Sequence, residues 1–417
     1  MEHSPQETAP ETGGKALYYI CVTPFFPTPD KWQGAYVLDQ VKAIQRNSNY
    51  EIVVFKTCGL GDWQGDYTID GIRVRTIRPI LMPSYVLNGL TECIVGRNFV
   101  GTLKKLRIDV AKVAFVHCHT ASHAAFGFGV KKVNPDAKVL LQFHDLDPLT
   151  LRNGKWADKR WNRRYRARKS ISTLNRADLL VCISLPVRDT ILAFPHPRKG
   201  EVYPPALRML EDVGDMPPVK PRNICILNNG VDTALFHPLR QEVESGIFRI
   251  GCIANFQELK DHITLVKAFN FLTKKGYTDM RLSLLGSGET RPKIERYINE
   301  NGLVNFIEWP MEVRHEQLPE YYNTLNLFVL PSIFEGFGCV YTEAFACGVP
   351  FICCYGQGAA ECIAPDEREK WLMPPHDYVA LAGLIERQYR ERHVQHLCTD
   401  YDIDVLIKRF LNLIKEL

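Results

Sequence analysis

The sequence predicts an α/β protein made of two doubly wound parallel-sheet domains. Short apolar runs alternate along the chain with amphipathic stretches, which is the order expected of repeated strand–helix units. One apolar run, at 327–330, leads through a glycine-containing loop into a helical stretch, and a new strand–helix series begins at Phe248. A chain of 417 residues has room for two or three domains at roughly 150 residues each.

Changes in composition along the chain set the expected domain bounds. Residues 1–14 are polar and acidic, and we expect a disordered tail there. We place an N-terminal Rossmann-like domain at 15–238 and a C-terminal Rossmann-like domain at 239–395. The amphipathic pattern near the end of 396–417 predicts a final helix.

Composition and charge favour a globular protein without a nucleic-acid partner. Apolar residues make up 46% of the chain, charged residues 24%, and the net charge is only +4. No apolar run approaches the ~18 residues of a bilayer-spanning helix, and no apolar leader is visible, so we expect a cytoplasmic protein. The 13 cysteines are odd in number and include no C-x-x-C pair, which favours reduced thiols over disulfides or a zinc site.

The most informative stretch is the loop and helix at 331–344. Its glycines lie between the end of a predicted parallel strand and a helix N-terminus, where α/β sheets bind ligands and where N–H groups face phosphate or sugar oxygens. If the helix begins near Gly338, the carboxylates of Glu335 and Glu343 can face one crevice and accept hydrogen bonds from sugar hydroxyls. The alternative is a simple strand–helix turn with a surface glutamate.

This stretch resembles the retaining nucleotide-sugar glycosyltransferases of family 4, also called glycosyl transferases group 1, which have the GT-B fold. Their hallmark is two glutamates separated by seven residues, as Glu335 and Glu343 are, followed by small residues and Gly-Val-Pro. The segment 229–238 also matches the family's N-G-V-D-x-x-x-F-x-P signature. The resemblance implies two Rossmann-like domains facing across a cleft, the first on the acceptor side and the second holding the nucleotide sugar, with a last helix that crosses back to the first domain.

The resemblance also assigns the donor site. Lys260 corresponds to the lysine that holds the donor diphosphate, but Asn255 stands where an arginine is usual, which removes one positive charge. Glu343 would bind the ribose and Glu335 the sugar. The remaining expected donor contacts are glycines and backbone N–H groups: Gly34, Gly286, Gly336, Phe337, Gly338, Cys339 and Val340.

Polar residues at two strand ends of the first half complete the expected site. His144 corresponds to the histidine that contacts the donor sugar in the family, and Asp145 follows it where glycine is usual. His119 belongs to an H-x-H pair that faces the cleft in relatives, and we expect His119 and Asp145 on the acceptor side. The H-x-H spacing could also hold a metal, but no third ligand accompanies it, so we predict no metal site.

The one strongly basic tract, Arg152 to Lys169, mixes arginine and lysine with aromatic residues. It could be a solvated helix face, an RNA-binding surface, or a peripheral contact with an anionic membrane or a lipid-linked acceptor. We favour the membrane contact over RNA because relatives often extend lipid-linked sugars, which would place the protein on the inner face of the membrane.

The expected activity is retaining, metal-independent transfer of a sugar from a nucleoside-diphosphate sugar to a saccharide or lipid-linked acceptor. The resemblance favours a UDP- or GDP-sugar as donor, with no other cofactor, and a role in surface polysaccharide or glycolipid assembly. Glu335, His144 and Lys260 are the expected catalytic residues, and Glu335 could act as orienting group or as nucleophile. The alternatives are a nucleotide-sugar epimerase, a phosphorylase, or a scaffold weakened by Asn255.

Overall fold

The structure is a computed structural model that describes residues 17–29, 34–59, 65–79, 91–144, 161–193, 216–239, 246–311 and 313–417. The predicted tail at 1–14 and Asp145 lie outside these residues. Within them the chain forms two largely parallel sheets that alternate with helices, which confirms the predicted α/β class.

Eight strands of the first half form one sheet: β1 (Tyr18–Thr23), β2 (Glu51–Thr57), β3 (Tyr67–Ile69), β4 (Ile72–Ile77), β5 (Val113–Cys118), β6 (Lys138–Phe143), β7 (Leu179–Cys182) and β8 (Ile224–Ile226). Their order is β3-β4-β2-β1-β5-β6-β7-β8. Only the edge pair β3–β4 is antiparallel. The central strands β1 and β6 are buried along nearly their whole length, as expected when helices cover both faces of a parallel sheet.

Six strands of the second half form the other sheet: β9 (Phe248–Ile253), β10 (Met280–Leu285), β11 (Ile307–Glu308), β12 (Leu327–Val329), β13 (Phe351–Cys354) and β14 (Leu372–Met373). All pairs in the order β11-β10-β9-β12-β13-β14 are parallel. Because every strand runs the same way, the loops that follow them gather at one edge of the sheet.

The described helices fall into two sets. Those of the first half are α1 (Ala35–Arg46), α2 (Glu92–Lys105), α3 (Ala124–Val133), α4 (Trp161–Arg176) and α5 (Leu185–Ala193). Those of the second half are α6 (His262–Lys274), α7 (Arg291–Glu300), α8 (Leu318–Tyr322), α9 (Cys339–Ala346), α10 (Arg368–Trp371), α11 (Tyr378–Glu391) and α12 (Ile403–Lys415).

The last helix, α12, packs against the first domain. Asp402 caps its N-terminus by accepting hydrogen bonds from two backbone N–H groups, and Arg46 of α1 forms an ion pair with Asp404 at 3.1 Å. The apolar side of α12 lies in one buried cluster with residues of β6 and β7; its members there are Ile403, Ile407, Phe410, Leu411 and Ile414.

Candidate active site between the two domains

The loop after β12 contacts the end of β6, so the two domains meet at predicted catalytic residues. A Cβ atom added at Gly336 would lie 2.5 Å from the carbonyl oxygen of His144 and 2.9 Å from Cδ1 of Ile183. Real Cβ atoms do not approach a backbone oxygen so closely, so a side chain at position 336 would force the domains apart. This contact places Glu335 next to His144.

Glu335 forms an ion pair with Lys260. The Nζ of Lys260 donates to Oε1 of Glu335, and the hydroxyl of Ser332 donates to the same oxygen at 2.8 Å. Lys260 lies in a short 3₁₀ turn that follows β9. The turn ends at Asp261, whose backbone is in the left-handed region (φ 48°). The side chains of Lys260 and Glu335 are 24% and 13% exposed, so ligand can still reach both groups. The predicted diphosphate-binding cation is therefore neutralised by the predicted sugar-binding carboxylate.

Glu343 lies on α9 and has different partners from Glu335. Its Oε2 accepts a hydrogen bond from the hydroxyl of Tyr322 at 2.9 Å, and its Oε1 lies 3.9 Å from Nε2 of His315. Burial by itself lowers the pKa of His315, but the contact with Glu343 and the charges of Glu343, Asp39 and Glu316 outweigh burial and leave this pKa raised. Glu343 is only 8% exposed, so it is not the surface glutamate of the alternative interpretation.

Asp39 of α1 faces this second-domain group from the other side of the domain boundary. Burial raises the pKa of the Asp39 carboxyl to about 6; the charge of Glu343 adds to the rise, while His315 and Lys42 oppose it. A first-domain carboxyl, a second-domain carboxylate and an imidazole therefore share one partly desolvated space.

A row of neutral imidazoles supports His144. Nδ1 of His119 lies 2.8 Å from Nε2 of His144, and the two rings are nearly coplanar, with a 4° angle between them. His117 stacks on His119 and its Nδ1 is 2.6 Å from the hydroxyl of Tyr19. Burial lowers the pKa of His117 and of His144 to about 3 and lowers that of His119 well below its usual value. His119 is 2% exposed, so its side chain is covered and its Nδ1 faces His144.

The helix α9 begins at Cys339, directly after Gly338, which is one of the predicted donor contacts. Gly338 precedes it with φ 84°, and the first N–H groups of a helix have no partner within it. The side chain of Phe337 is buried in a cluster formed mostly by the first domain, and its carbonyl oxygen accepts a hydrogen bond from the N–H of Ala359 at 3.0 Å. Cys339 is half-buried at the first helical position, and Val340 follows it against the second-domain core.

The other predicted donor contacts lie in the expected loops. Gly34 precedes α1 with φ 92°, and a Cβ there would lie 2.6 Å from the carbonyl carbon of Phe25. Gly286 directly follows β10, and a Cβ there would lie 2.1 Å from the carbonyl oxygen of Ala254. Asn255, which stands in the position of the usual arginine, is exposed in the loop after β9.

Glu361 makes a further contact between the domains. Its Oε2 accepts from the N–H of Leu185 at the start of α5 at 2.7 Å, and its Oε1 accepts from the amide of Asn228 at 2.6 Å. Burial raises the pKa of Glu361 to about 7, although both hydrogen bonds act in the opposite direction. A second-domain carboxylate therefore caps a first-domain helix.

Parts of the prediction fall outside the described structure. Asp145 and residues 152–160 of the basic tract are among the residues that are not described, and within α4 the side chains at 162–164, 166 and 167 are not described either. Trp161, at the start of α4, is 69% exposed. In the described part of the chain, no group of three His, Cys, Asp or Glu side chains could hold a metal ion, and no helix is long and apolar enough to cross a membrane.

Three site residues were missed by the sequence analysis: Asp39, His315 and Tyr322. Asp39 lies in an amphipathic helix, where a carboxylate is usually solvent-facing, and no motif surrounds His315. For Tyr322, the sequence offers only the pair Tyr321-Tyr322 before the apolar run at 327–330, and this pair does not indicate a contact with Glu343.

Two family models match the chain. The model described as Glycosyltransferase Family 4 matches residues 33–209, and the model described as Glycosyl transferases group 1 matches residues 240–402.

Curated relatives match over shorter segments. The chain is 32% identical over 136 residues to "Putative glycosyltransferase EpsF" of Bacillus subtilis (strain 168), covering 30% of this chain and 35% of that protein. It is 32% identical over 143 residues to "Capsular polysaccharide biosynthesis glycosyltransferase CapM" of Staphylococcus aureus, covering 34% and 36%. The matched segments thus span about a third of the length of these relatives.

Solved structures match over nearly the whole chain. Sucrose-phosphate synthase from Thermosynechococcus elongatus superposes with a TM-score of 0.67 at 17% identity, over 96% of this chain and 98% of that one. Anabaena Alr3699/HepE in complex with UDP and glucose superposes with a TM-score of 0.65 at 14% identity, over 96% and 100%. At such identities the likeness shows the fold, and it confirms the predicted GT-B arrangement. Because the two family models cover one domain each, the chain belongs to the glycosyltransferases of family 4, or group 1.

Proposed function

We propose that this protein is a retaining glycosyltransferase that moves a sugar from a nucleoside-diphosphate sugar to an acceptor hydroxyl. The observation that carries the proposal is the meeting of Lys260, Glu335 and His144 at the domain boundary, beside the N-terminus of α9. A cation, a carboxylate and free N–H groups in one partly enclosed space suit a ligand that combines a diphosphate with a sugar.

The proposed chemistry follows from these positions. Lys260 exchanges Glu335 for the donor diphosphate, and the N–H groups at the start of α9 bind the remaining phosphate charge. The bond between the anomeric carbon and the phosphate oxygen breaks, and its electron pair stays on the phosphate. The acceptor oxygen bonds to the anomeric carbon on the same face and gives its proton to the departing phosphate. Glu335 and His144 orient the sugar, and Lys260 and the helix supply the charge compensation that a metal ion gives elsewhere.

Printed descriptions of similar proteins support the donor and the pathway class. The structures of Anabaena Alr3699/HepE contain UDP, UDP with glucose, or UDP-glucose, which favours a UDP-sugar, with a GDP-sugar as the other choice. The CapM relative is described as a capsular polysaccharide biosynthesis glycosyltransferase. We therefore propose a saccharide or lipid-linked acceptor in surface polysaccharide or glycolipid assembly.

A screen of donors tests the proposal. UDP-, GDP-, ADP-, dTDP- and CMP-sugars are added without metal, and the thermal midpoint and slow hydrolysis are measured. A true donor at 100 times its dissociation constant stabilises the fold by ~2.7 kcal/mol. We expect one UDP- or GDP-sugar to stabilise the protein and to release sugar that first appears with the donor's anomeric configuration by NMR. Binding of no nucleotide sugar, an inverted first product, or interconversion of sugars without transfer would contradict the proposal.

If the acceptor is lipid-linked, the protein must work at a membrane surface, and we propose that the basic tract 152–169 makes this peripheral contact. Its composition supports this contact, because arginine and lysine near a surface are attracted to anionic lipid by about 1 kcal/mol each. We expect co-sedimentation with vesicles containing phosphatidylglycerol and weaker co-sedimentation with purely zwitterionic vesicles. Replacing the arginines of the tract with glutamine should abolish the difference, and a difference that persists in this variant would exclude the contact.

A further inference from the structure

The carboxylate of Glu343 is held by two second-domain side chains that no sequence motif assigns. The hydroxyl of Tyr322 donates to Oε2 at 2.9 Å, and Nε2 of His315 lies 3.9 Å from Oε1, which is an ion-pair distance. Each oxygen therefore has one protein partner, and the α9 backbone fixes the direction from which the side chain enters the site.

The two protein contacts leave part of the hydrogen-bonding capacity of the Glu343 carboxylate for a ligand. An ionised carboxylate can accept about four hydrogen bonds. With one position on each oxygen directed at Tyr322 or His315, about one position on each oxygen is left for ligand. Two adjacent hydroxyl groups, such as the 2′- and 3′-hydroxyls of a ribose, match this pair of positions.

His315 is enclosed on several sides. Its side chain is 13% exposed, and the ring of Phe236 meets it edge-on with centroids 5.3 Å apart. The charged groups that face it are Glu343 on α9, Asp39 on α1 of the other domain, and Glu316 beside it in the chain. All three are acidic, so the surroundings favour a positively charged ring.

We propose that His315 is a positioning residue for Glu343, acting as an imidazolium between Glu343 and Asp39 so that recognition of the donor ribose depends on its proton. This inference rests on the proposed function, because it assigns Glu343 to the ribose of a nucleoside-diphosphate donor. Its new content is the role of His315 and the pH dependence that this role creates.

The direction of the pH dependence follows from the charges. The raised pKa of His315 means that the ring holds its proton above the usual pH of about 6.5. The ion pair between His315 and Glu343 is therefore present at lower pH and is lost as pH rises through the raised pKa of His315. Asp39, whose pKa is raised to about 6, contributes its negative charge only above that pH. Lys42 and Asp232 also face Asp39.

The test compares ribose with 2′-deoxyribose ligands. The dissociation constants of UDP, dUDP, GDP and dGDP are measured calorimetrically between pH 6 and 9 for the wild type, H315Q and H396Q. His396 is a matched control, because it also faces a glutamate, Glu367, at 3.5 Å, but is 71% exposed. We expect the wild type and H396Q to prefer the ribose form of one nucleotide by about tenfold at pH 6 and to lose part of this preference as pH rises. H315Q should show a small, pH-independent preference.

The outcomes separate the inference from the proposed function. If the wild type binds a nucleotide and H315Q prefers the ribose form over the 2′-deoxyribose form as strongly as the wild type does, the role of His315 is overturned and the donor assignment stays intact. Binding of neither UDP nor GDP by the wild type would overturn the donor assignment and this inference with it. A histidine NMR titration provides a readout that does not need a variant to fold: a His315 pKa at or below 6.5 in the wild type would also overturn the inference.

Discussion

The ammonium group of Lys260 and the carboxylate of Glu335 form an ion pair, and the residue after Glu335, Gly336, lies against the backbone carbonyl of His144. The two groups that the family resemblance assigns to the diphosphate and to the sugar therefore bind each other. Under the proposed function, the donor diphosphate replaces Glu335 as the partner of Lys260, and Glu335 then becomes available to the sugar.

Removing Lys260 or Glu335 from their ion pair should have different effects on nucleotide binding but the same effect on turnover. K260A should weaken nucleoside-diphosphate binding by about tenfold or more, because a charge-assisted hydrogen bond is lost. E335Q should bind the diphosphate at least as well as the wild type, because Lys260 no longer has a competing partner. Both should lower kcat by about 100-fold or more. Calorimetry and initial rates with the identified donor measure these effects.

A surface ion pair is the control for these variants. Lys275 and Glu386 lie 2.7 Å apart with the lysine half exposed, and exposed pairs contribute little. K275A and E386Q should keep normal affinity and turnover. Normal turnover in K260A or E335Q would contradict the assignment of the catalytic pair.

Adding one methyl group at Gly336 should inactivate the protein. The new Cβ would lie 2.5 Å from the backbone oxygen of His144, so the loop after β12 must withdraw and the domains must part. We expect G336A to lose about 100-fold or more in kcat/KM while its circular dichroism stays native. Gly383, in α11, is the matched control: no atom lies within 4 Å of its added Cβ, and alanine is favoured in a helix by roughly 1 kcal/mol. Comparable losses in G336A and G383A would exclude the steric explanation.

The buried histidines should make the protein acid-sensitive. Burial holds the pKa of His117 at about 3, below the usual value of about 6.5, so the folded state resists protonation that the unfolded chain accepts. The stability from this histidine is complete above pH 6.5 and is lost as pH falls toward 3. H117Q should lose less unfolding free energy than the wild type between pH 7 and pH 5, by about 1–2 kcal/mol. Urea unfolding at both pH values measures this, and an equal loss in both proteins would refute it.

Asp39 should have the opposite effect on stability. Its carboxyl pKa is raised to about 6, so the fold favours the neutral form, and stability is lost as pH rises from about 4 through 6. D39N cannot ionise and should be more stable than the wild type at pH 8 by about 2–3 kcal/mol, with little difference at pH 4. Thermal melts at both pH values measure the effect. A wild type that is more stable than D39N at pH 8 would show that Asp39 is stabilised by His315 and Lys42 more strongly than burial opposes it.

The sequence predicted those features that depend on local pattern. Apolar runs such as that of β6 predict buried parallel strands because both of their faces must be covered, and the glycine before Cys339 marks the start of α9. The family resemblance predicted one donor site for Lys260, Glu335 and Glu343, and the structure has these residues after β9 and β12 of the second sheet. The positions of these residues follow from the order of strands and loops, which the sequence carries directly.

Contacts across the domain boundary could not be predicted in this way. Asp39 faces Glu343, and Gly336 touches His144, only because the two sheets take one relative position. The ion pair of Lys260 with Glu335 was missed for a related reason. Both residues were assigned to a ligand, and the sequence does not show that the loops after β9 and β12 bring their side chains together.

The return of α12 to the first domain has a consequence for folding during synthesis. The apolar side of this helix fills a cluster with β6 and β7, yet it is made after the whole second domain. At the usual 5–20 residues per second, the interval between completion of the first sheet and emergence of α12 is roughly 10–40 s. During that time the nascent first domain exposes an apolar surface on the ribosome, which makes it a client for chaperones and ties its final folding step to completion of its neighbour.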